Sequence, residues 1–182
     1  MLKTLRNAWK DKEIRKKLLY TFMMLVVIRF GSELPIPGVN TSYFAEFFAK
    51  QSGDAFNFFD AMTGGSFTSL SVLALSITPY ITSSIIMQLL TIAIPKLEEM
   101  QREGEDGRKK IAEYTRYLTV VLALMESTAM AVGFGGQGML IGYNEQGFLG
   151  KASMVAIAVL TMTAGSAFLM WVGERITEKG IG

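Results

Sequence analysis

The 182 residues are 50% hydrophobic and 19% charged, with 18 Lys and Arg against 16 Asp and Glu and neither Cys nor His. Without thiols and imidazoles, no Cys nucleophile, His base, Ser-His-Asp triad or Cys/His zinc site can be built; no enzyme activity, cofactor or metal is expected. A chain this charged and this apolar must segregate the two populations: residues 18–28, 77–94, 118–132 and 152–172 hold no Lys or Arg and a single acid, Glu126, and all four Asp lie elsewhere. Four such blocks argue for one all-α, polytopic membrane domain.

The charge distribution sets the topology. Lys and Arg number seven before Leu18, six between Lys96 and Arg116 and two after Val172, whereas Lys50 and Lys151 stand alone in the two remaining connecting segments. By the positive-inside rule the N-terminus, the segment after Lys96 and the C-terminus are cytoplasmic, and the others lie outside. Residues 1–17 place Leu2, Leu5 and Trp9 at helical spacing among basic residues, which fits either an amphipathic helix on an anionic leaflet or a solvated basic tail. They are not read as a cleaved signal peptide, because the charged region is long and no small-residue cleavage site follows the first apolar block.

Residues 18–34 form the expected first span, near the lower limit of ~17 residues. Arg29 and Glu33, four apart, share a helical face and can pair. Pro35 and Pro37 then end the helix. The outer segment, 35–63, is crowded with Phe44, Phe47, Phe48, Phe56, Phe58 and Phe59 beside Glu46, Asp54 and Asp60, the composition of a short amphipathic surface helix.

Residues 64–90, GGSFTSLSVLALSITPYITSSIIMQLL, are apolar but interrupted by Pro79 and rich in Ser and Thr. Residues 66–76 would cover about 16 Å as a helix at ~1.5 Å per residue, too short for a ~30 Å hydrocarbon core. Pro79 suits the first turn of a new helix, where its missing N–H is unpaired anyway, and Pro95 stops that helix after Ile94. Periodicity leaves two readings open. One is a single Pro-kinked span whose freed carbonyls are satisfied by Thr78, Thr82 and Ser83; the other is a short re-entrant half-helix, 64–76, followed by a spanning helix, 77–95.

Residues 96–112, with ten charged residues and two glycines in 96–110, read as a solvated cytoplasmic loop. Tyr114 and Tyr117 form an interfacial belt for the third span, 113–133, in which Glu126 lies near mid-membrane. A carboxylate there costs ~2.5 kcal/mol or more, so it should face protein or water, or be protonated. Residues 134–151 are a flexible Gly-rich outer loop. The fourth span, 152–173, carries Ala158, Thr161 and Gly165 for close packing and Trp171 at the inner interface, and 174–182 open the next cytoplasmic connection.

Four stretches together carry a resemblance: PIPGV at 35–39, SVLALSITPYITSSIIMQLL at 71–90, EGEDGRKKIAEYTRY at 103–117 and WVGERITEKGIG at 171–182. In this order they resemble the SecY family, the channel subunits of the bacterial protein translocase related to the eukaryotic translocon alpha subunit. The likeness covers the whole chain but not the family's about ten membrane helices. Ser76 stands where the family usually has Gly, and Glu126 where it usually has Gln.

The resemblance implies the N-terminal half of an inverted-repeat channel: four transmembrane helices plus a short re-entrant plug half-helix, in the bacterial plasma membrane with the N-terminus cytoplasmic. Ile77 and Ile81 would be waist residues of the pore, since a ring of aliphatic side chains blocks ions by dewetting yet yields to a passing chain. Gly64, Gly65, Ser66, Phe67, Ser69, Leu70, Leu73 and Ala74 would belong to the plug. Thr82, Ile86 and Gln88 of the second helix and Leu122 and Glu126 of the third would line a lateral gate toward lipid. Implied partners are SecE and SecG, the SecA motor ATPase, the ribosome, signal sequences, translocating polypeptides and membrane lipid, with no nucleic-acid binding. Alone, the chain is expected not to seal a pore. A small-solute transporter using Glu126 and a structural membrane helper are the alternatives.

Overall fold

The computed structural model describes residues 11–42, 46, 58, 61, 65–66 and 69–181. Most of the expected N-terminal amphipathic helix, most of the Phe-rich outer segment, and the plug positions Gly64 and Phe67 lie outside the described residues.

Helix α1, Lys12–Ser32, starts where the Asp11 carboxylate accepts the Glu13 amide at 2.9 Å, satisfying one of the unpaired donors of a helix start. Arg15, Lys16 and Lys17, expected in the amphipathic helix or basic tail that precedes the first span, therefore ride on the same helix as the first apolar block. At its other end Arg29 and Glu33 pair at 2.7 Å, as their spacing requires.

Helix α2, Thr78–Ala93, carries Pro79 in its first turn. Pro95 ends it by holding Ile94 extended, but does more than stop a helix. It opens α3, Pro95–Arg102, at 101° to α2. Gly104, at φ 90°, reverses the chain into α4, Glu105–Phe134. The expected loop 96–112 is thus exposed and charged but helical. A Glu98–Arg102 pair at 2.6 Å supports α3, and Gly107 lets α4 pass so close under it that a Cβ there would lie 1.7 Å from the Met100 carbonyl oxygen. A π-helical turn, Gly135–Met139, and a 3-10 turn, Tyr143–Glu145, lead to α5, Phe148–Lys179.

In the packing, α4 lies against both α2 and α5, and α1 packs on α5. Buried hydroxyls cross the seams: Ser83 meets Thr119 at 2.5 Å between α2 and α4, and Ser127 meets Thr163 at 3.1 Å between α4 and α5. Such groups let helices associate where an apolar solvent gives no hydrophobic drive. A buried apolar cluster sits at the bundle end opposite α3. It joins Ile36 and Val39 to Leu70, Met130, Ala131, Met139, Leu140, Ala158, Val159 and Met162. The PIPGV stretch is therefore a hub of this core as well as a helix terminator: Asn40 and Met139, and Ile141 and Gly38, are joined by backbone hydrogen bonds of 2.8 and 2.9 Å. Those bonds hold the middle of the Gly-rich connection, read as a flexible loop, with Met139 and Leu140 buried.

By length and composition two described helices can cross a membrane, α5 and the run Glu105–Met139, or three if α2 and α3 count as one bent span. Helix α1 is not among them, because it ends at Ser32 and contains Arg15, Lys16, Lys17 and Arg29. Large apolar side chains on α1 nevertheless lie open, including Phe22, Met23 and Phe30. This is a membrane protein with an all-α architecture.

Candidate functional site

The expected half-helix before α2 is, where described, a run of turns. Leu70 and Ser76 adopt φ 44° and 54°, a left-handed conformation that ends an α-helix and that L side chains enter at a cost. The compensation comes from distant backbone. Ile36 donates to the Leu70 carbonyl at 3.0 Å and Val72 donates to the Leu34 carbonyl at 2.8 Å, with Pro35 facing Ser71 as an antiparallel bridge. Within the run, the Leu73 amide donates to the Ser71 hydroxyl at 3.2 Å. Leu70, Leu73 and Ala74 are buried, as is Ser66. Gly65, at φ 81°, is suited to the turn it occupies, and Ser69 is exposed.

The turns end at Ile77, the residue capping α2. Ile77 lines a cavity of about 470 Å³ together with Ser66, Leu73 and Ser76 of the turn segment, Leu25, Ile28, Arg29 and Ser32 of α1, and Leu169, Gly173 and Ile176 of α5. Gly173 faces Ile77 at contact distance, a Cβ there lying an ordinary 3.6 Å from the Ile77 Cδ1. Ile81 is one turn along, its amide donating to the Ile77 carbonyl at 3.1 Å, but its side chain is 51% exposed and outside that cavity. The two isoleucines are adjacent, and only Ile77 has its surroundings within this chain.

The residues expected at a gate lie on helices that touch. On α2 the buried stripe is Pro79, Ser83, Met87 and Thr91, against a stripe on α4 that includes Thr115, Thr119 and Ala123. Thr82 and Ile86 flank that stripe half-buried, and Gln88 is exposed. Gln88 borders a second, more polar cavity of about 230 Å³ with Thr91, Gln101, Arg108 and Glu174. Leu122 and Glu126 are half-buried, with Glu126 two turns beyond Thr119 on the same side of α4. Sequence reasoning did not single out Leu169, Ser166 or Gly173 for the site. The small residues Ser166 and Gly173 extend the spacing of Ala158, Thr161 and Gly165 along α5, whereas nothing local marks Leu169.

The matching family model is SecY, over residues 71–182. The chain belongs to the SecY family. Among curated relatives, the protein translocase subunit SecY of Pseudomonas aeruginosa is 44% identical over 170 residues, covering 93% of this chain and 37% of that protein. The subunit of the same name from Aquifex aeolicus is 43% identical over 187 residues, covering 100% of this chain and 42% of the relative. That from Escherichia coli K12 is 42% identical over 174 residues, covering 93% and 38%. The chain thus spans about two fifths of the length of these SecY relatives. The SecY match begins at Ser71, inside the turn segment, and runs through the cavity-lining residues of α2 and α5.

Proposed function

We propose that this chain contributes the first four membrane helices of a protein-conducting channel, with the turn segment before α2 at the mouth of the pore. In this reading α1, α2, α4 and α5 are the four spans, the basic ends and α3 face the cytoplasm, and the membrane is the bacterial plasma membrane. Channel partners of the SecE and SecG type cover the remaining apolar faces, and a SecA-type motor or a ribosome delivers the polypeptide.

The observation that carries the reading is the position of Ile77. It caps a helix that starts part-way through the bundle, and it faces a cavity bounded by the turn segment. A polypeptide passing such a place needs an aliphatic collar, which closes by excluding water and reopens without breaking ion pairs. Ile81, one turn deeper and open in this chain, is placed to complete that collar with side chains from the rest of the channel. Thr82, Ile86 and Gln88 of α2 and Leu122 and Glu126 of α4 form one wall of a lateral exit, where a half-buried carboxylate weakens contact with lipid.

These 182 residues hold no native Cys, and Ile81→Cys as the single Cys of the full channel polypeptide, any elsewhere in it replaced, can be tested against a secretory precursor arrested in transit and carrying one Cys. A disulfide at position 81, with none to a control Cys at Leu160 on the exposed face of α5, is the expected result. An arrested precursor that never cross-links to position 81 sinks the pore assignment.

A further inference from the structure

Residues 70–76 include Leu70, Leu73 and Ala74, which the SecY resemblance assigns to a plug, and in this structure they are fastened from two sides. On one side is the backbone of residues 34–36. It is joined through the Ile36 amide to the Leu70 carbonyl at 3.0 Å and through the Val72 amide to the Leu34 carbonyl at 2.8 Å. On the other side is α5. The Val72 carbonyl rests on Gly165 so closely that a Cβ would fall 1.9 Å from its oxygen, and the Ser166 hydroxyl donates to the Ser76 carbonyl at 3.3 Å. Between the two walls Leu70, Leu73 and Ala74 are 0%, 3% and 1% exposed.

Releasing this stretch would bare three apolar side chains and strip buried backbone groups of their partners at once, and such units open only with large cooperative cost. The left-handed Leu70 and Ser76 point the same way, since strained conformations persist where their surroundings over-determine them.

We propose that residues 70–76 are a fixed seat, docked on Gly165 and Ser166 and strapped by residues 34–36, which stays in place throughout a transport cycle. The proposal rests on the channel reading, and it gives Gly165 and Ser166 a positioning role at the pore mouth. Channel opening then does not require this stretch to leave α5.

Pro35 and Ser71 are the directly opposed pair of the bridge. In the pattern where the flanking residues carry the hydrogen bonds, such a pair has Cα atoms about 4.5 Å apart, inside the ~4.4–6.8 Å that a disulfide spans. The test is the Pro35→Cys/Ser71→Cys double substitution in the full channel, reconstituted with its partners and assayed for precursor transport before and after oxidation. The seat predicts no loss of transport when the disulfide forms. Loss on oxidation that reductant reverses overturns it. Transport by the reduced channel measures the channel reading separately, so the two cannot be confused.

A second probe leaves the bridge intact: Ala74→Cys, labelled with maleimide in the resting channel and in one jammed by an arrested precursor. The seat predicts no labelling in either state, and labelling that appears on jamming overturns the proposal.

Discussion

The hydroxyls of Ser83 and Thr119 lie 2.5 Å apart and fully buried where α2 crosses α4. Each also lies within reach of a carbonyl of its own helix, Ser83 at Tyr80 and Thr119 at Thr115. One proton therefore bridges the helices while the other is held locally, and removing either hydroxyl leaves no orphan donor. A double-mutant cycle with Ser83→Ala and Thr119→Val should give a coupling of about 0.6 kcal/mol, at most ~1.7, the range for such bonds between membrane helices. It is read from unfolding of the channel in detergent. A coupling near zero would mean that the two hydroxyls are in contact without a bond.

Gly165 and Gly133 should answer the same substitution oppositely. At Gly165 a Cβ meets the Val72 carbonyl oxygen at 1.9 Å, whereas at Gly133 nothing lies within 4 Å. Gly165→Ala should therefore destabilise by ~1–3 kcal/mol through overpacking against backbone. Gly133→Ala, inside α4, should be neutral or stabilising by up to ~1 kcal/mol. Melting temperatures of the two variants in one detergent decide it.

Ser76→Gly should stabilise the protein. Its φ of 54° carries a left-handed penalty of ~1–2 kcal/mol for a residue with a Cβ, against ~0.5–1 kcal/mol of added chain entropy for Gly. The net gain is of order 0.5–1 kcal/mol, seen as a raised melting temperature, while Ser76→Val should lower it.

Arg116 and Glu174 pair at 2.7 Å between α4 and α5, with side chains 48% and 28% exposed. At that exposure the pair is worth about 0.2–1 kcal/mol and is screened by salt. Glu174→Gln should lower stability by that amount in low salt and by less at ~1 M. The charge-swapped double variant, Arg116→Glu with Glu174→Arg, should recover most of the loss.

Local rules made parts of this fold readable in advance. Pro79 announces a helix start because its ring fixes φ and removes a donor that a first turn does not need. Arg29 and Glu33 announce their pair by spacing. Pro95 misled only in part: a proline ends one helix, but nothing local says that the next begins at once and turns 101° away. The charges of 96–112 suit a loop and an exposed helix equally, and it takes Gly107 under Met100 to make the helical hairpin.

The turns at 70–76 were least legible. An apolar stretch without a breaker at Leu70 favours a helix locally, and the groups that pull it out of one, the backbone of Leu34 and Ile36, are remote in sequence. The same holds for the site. Ile77 is singled out by the SecY resemblance, not by a local rule, and Gly173, which faces it across the cavity, is almost a hundred positions away and silent on its own.

The apolar cluster around Ile36 also bears on how the chain comes to be folded. Its members run from the PIPGV stretch through Leu70 and Leu140 to Met162, so no early part of the chain contains enough of it to close. During synthesis α1 and α2 are made well before α5, and contacts between such distant positions are slow to form. Until α5 arrives, Ile36, Val39 and Leu70 have no completed pocket to enter. The order in which the ribosome releases the helices thus makes the docking of α5 the step that locks this end of the bundle.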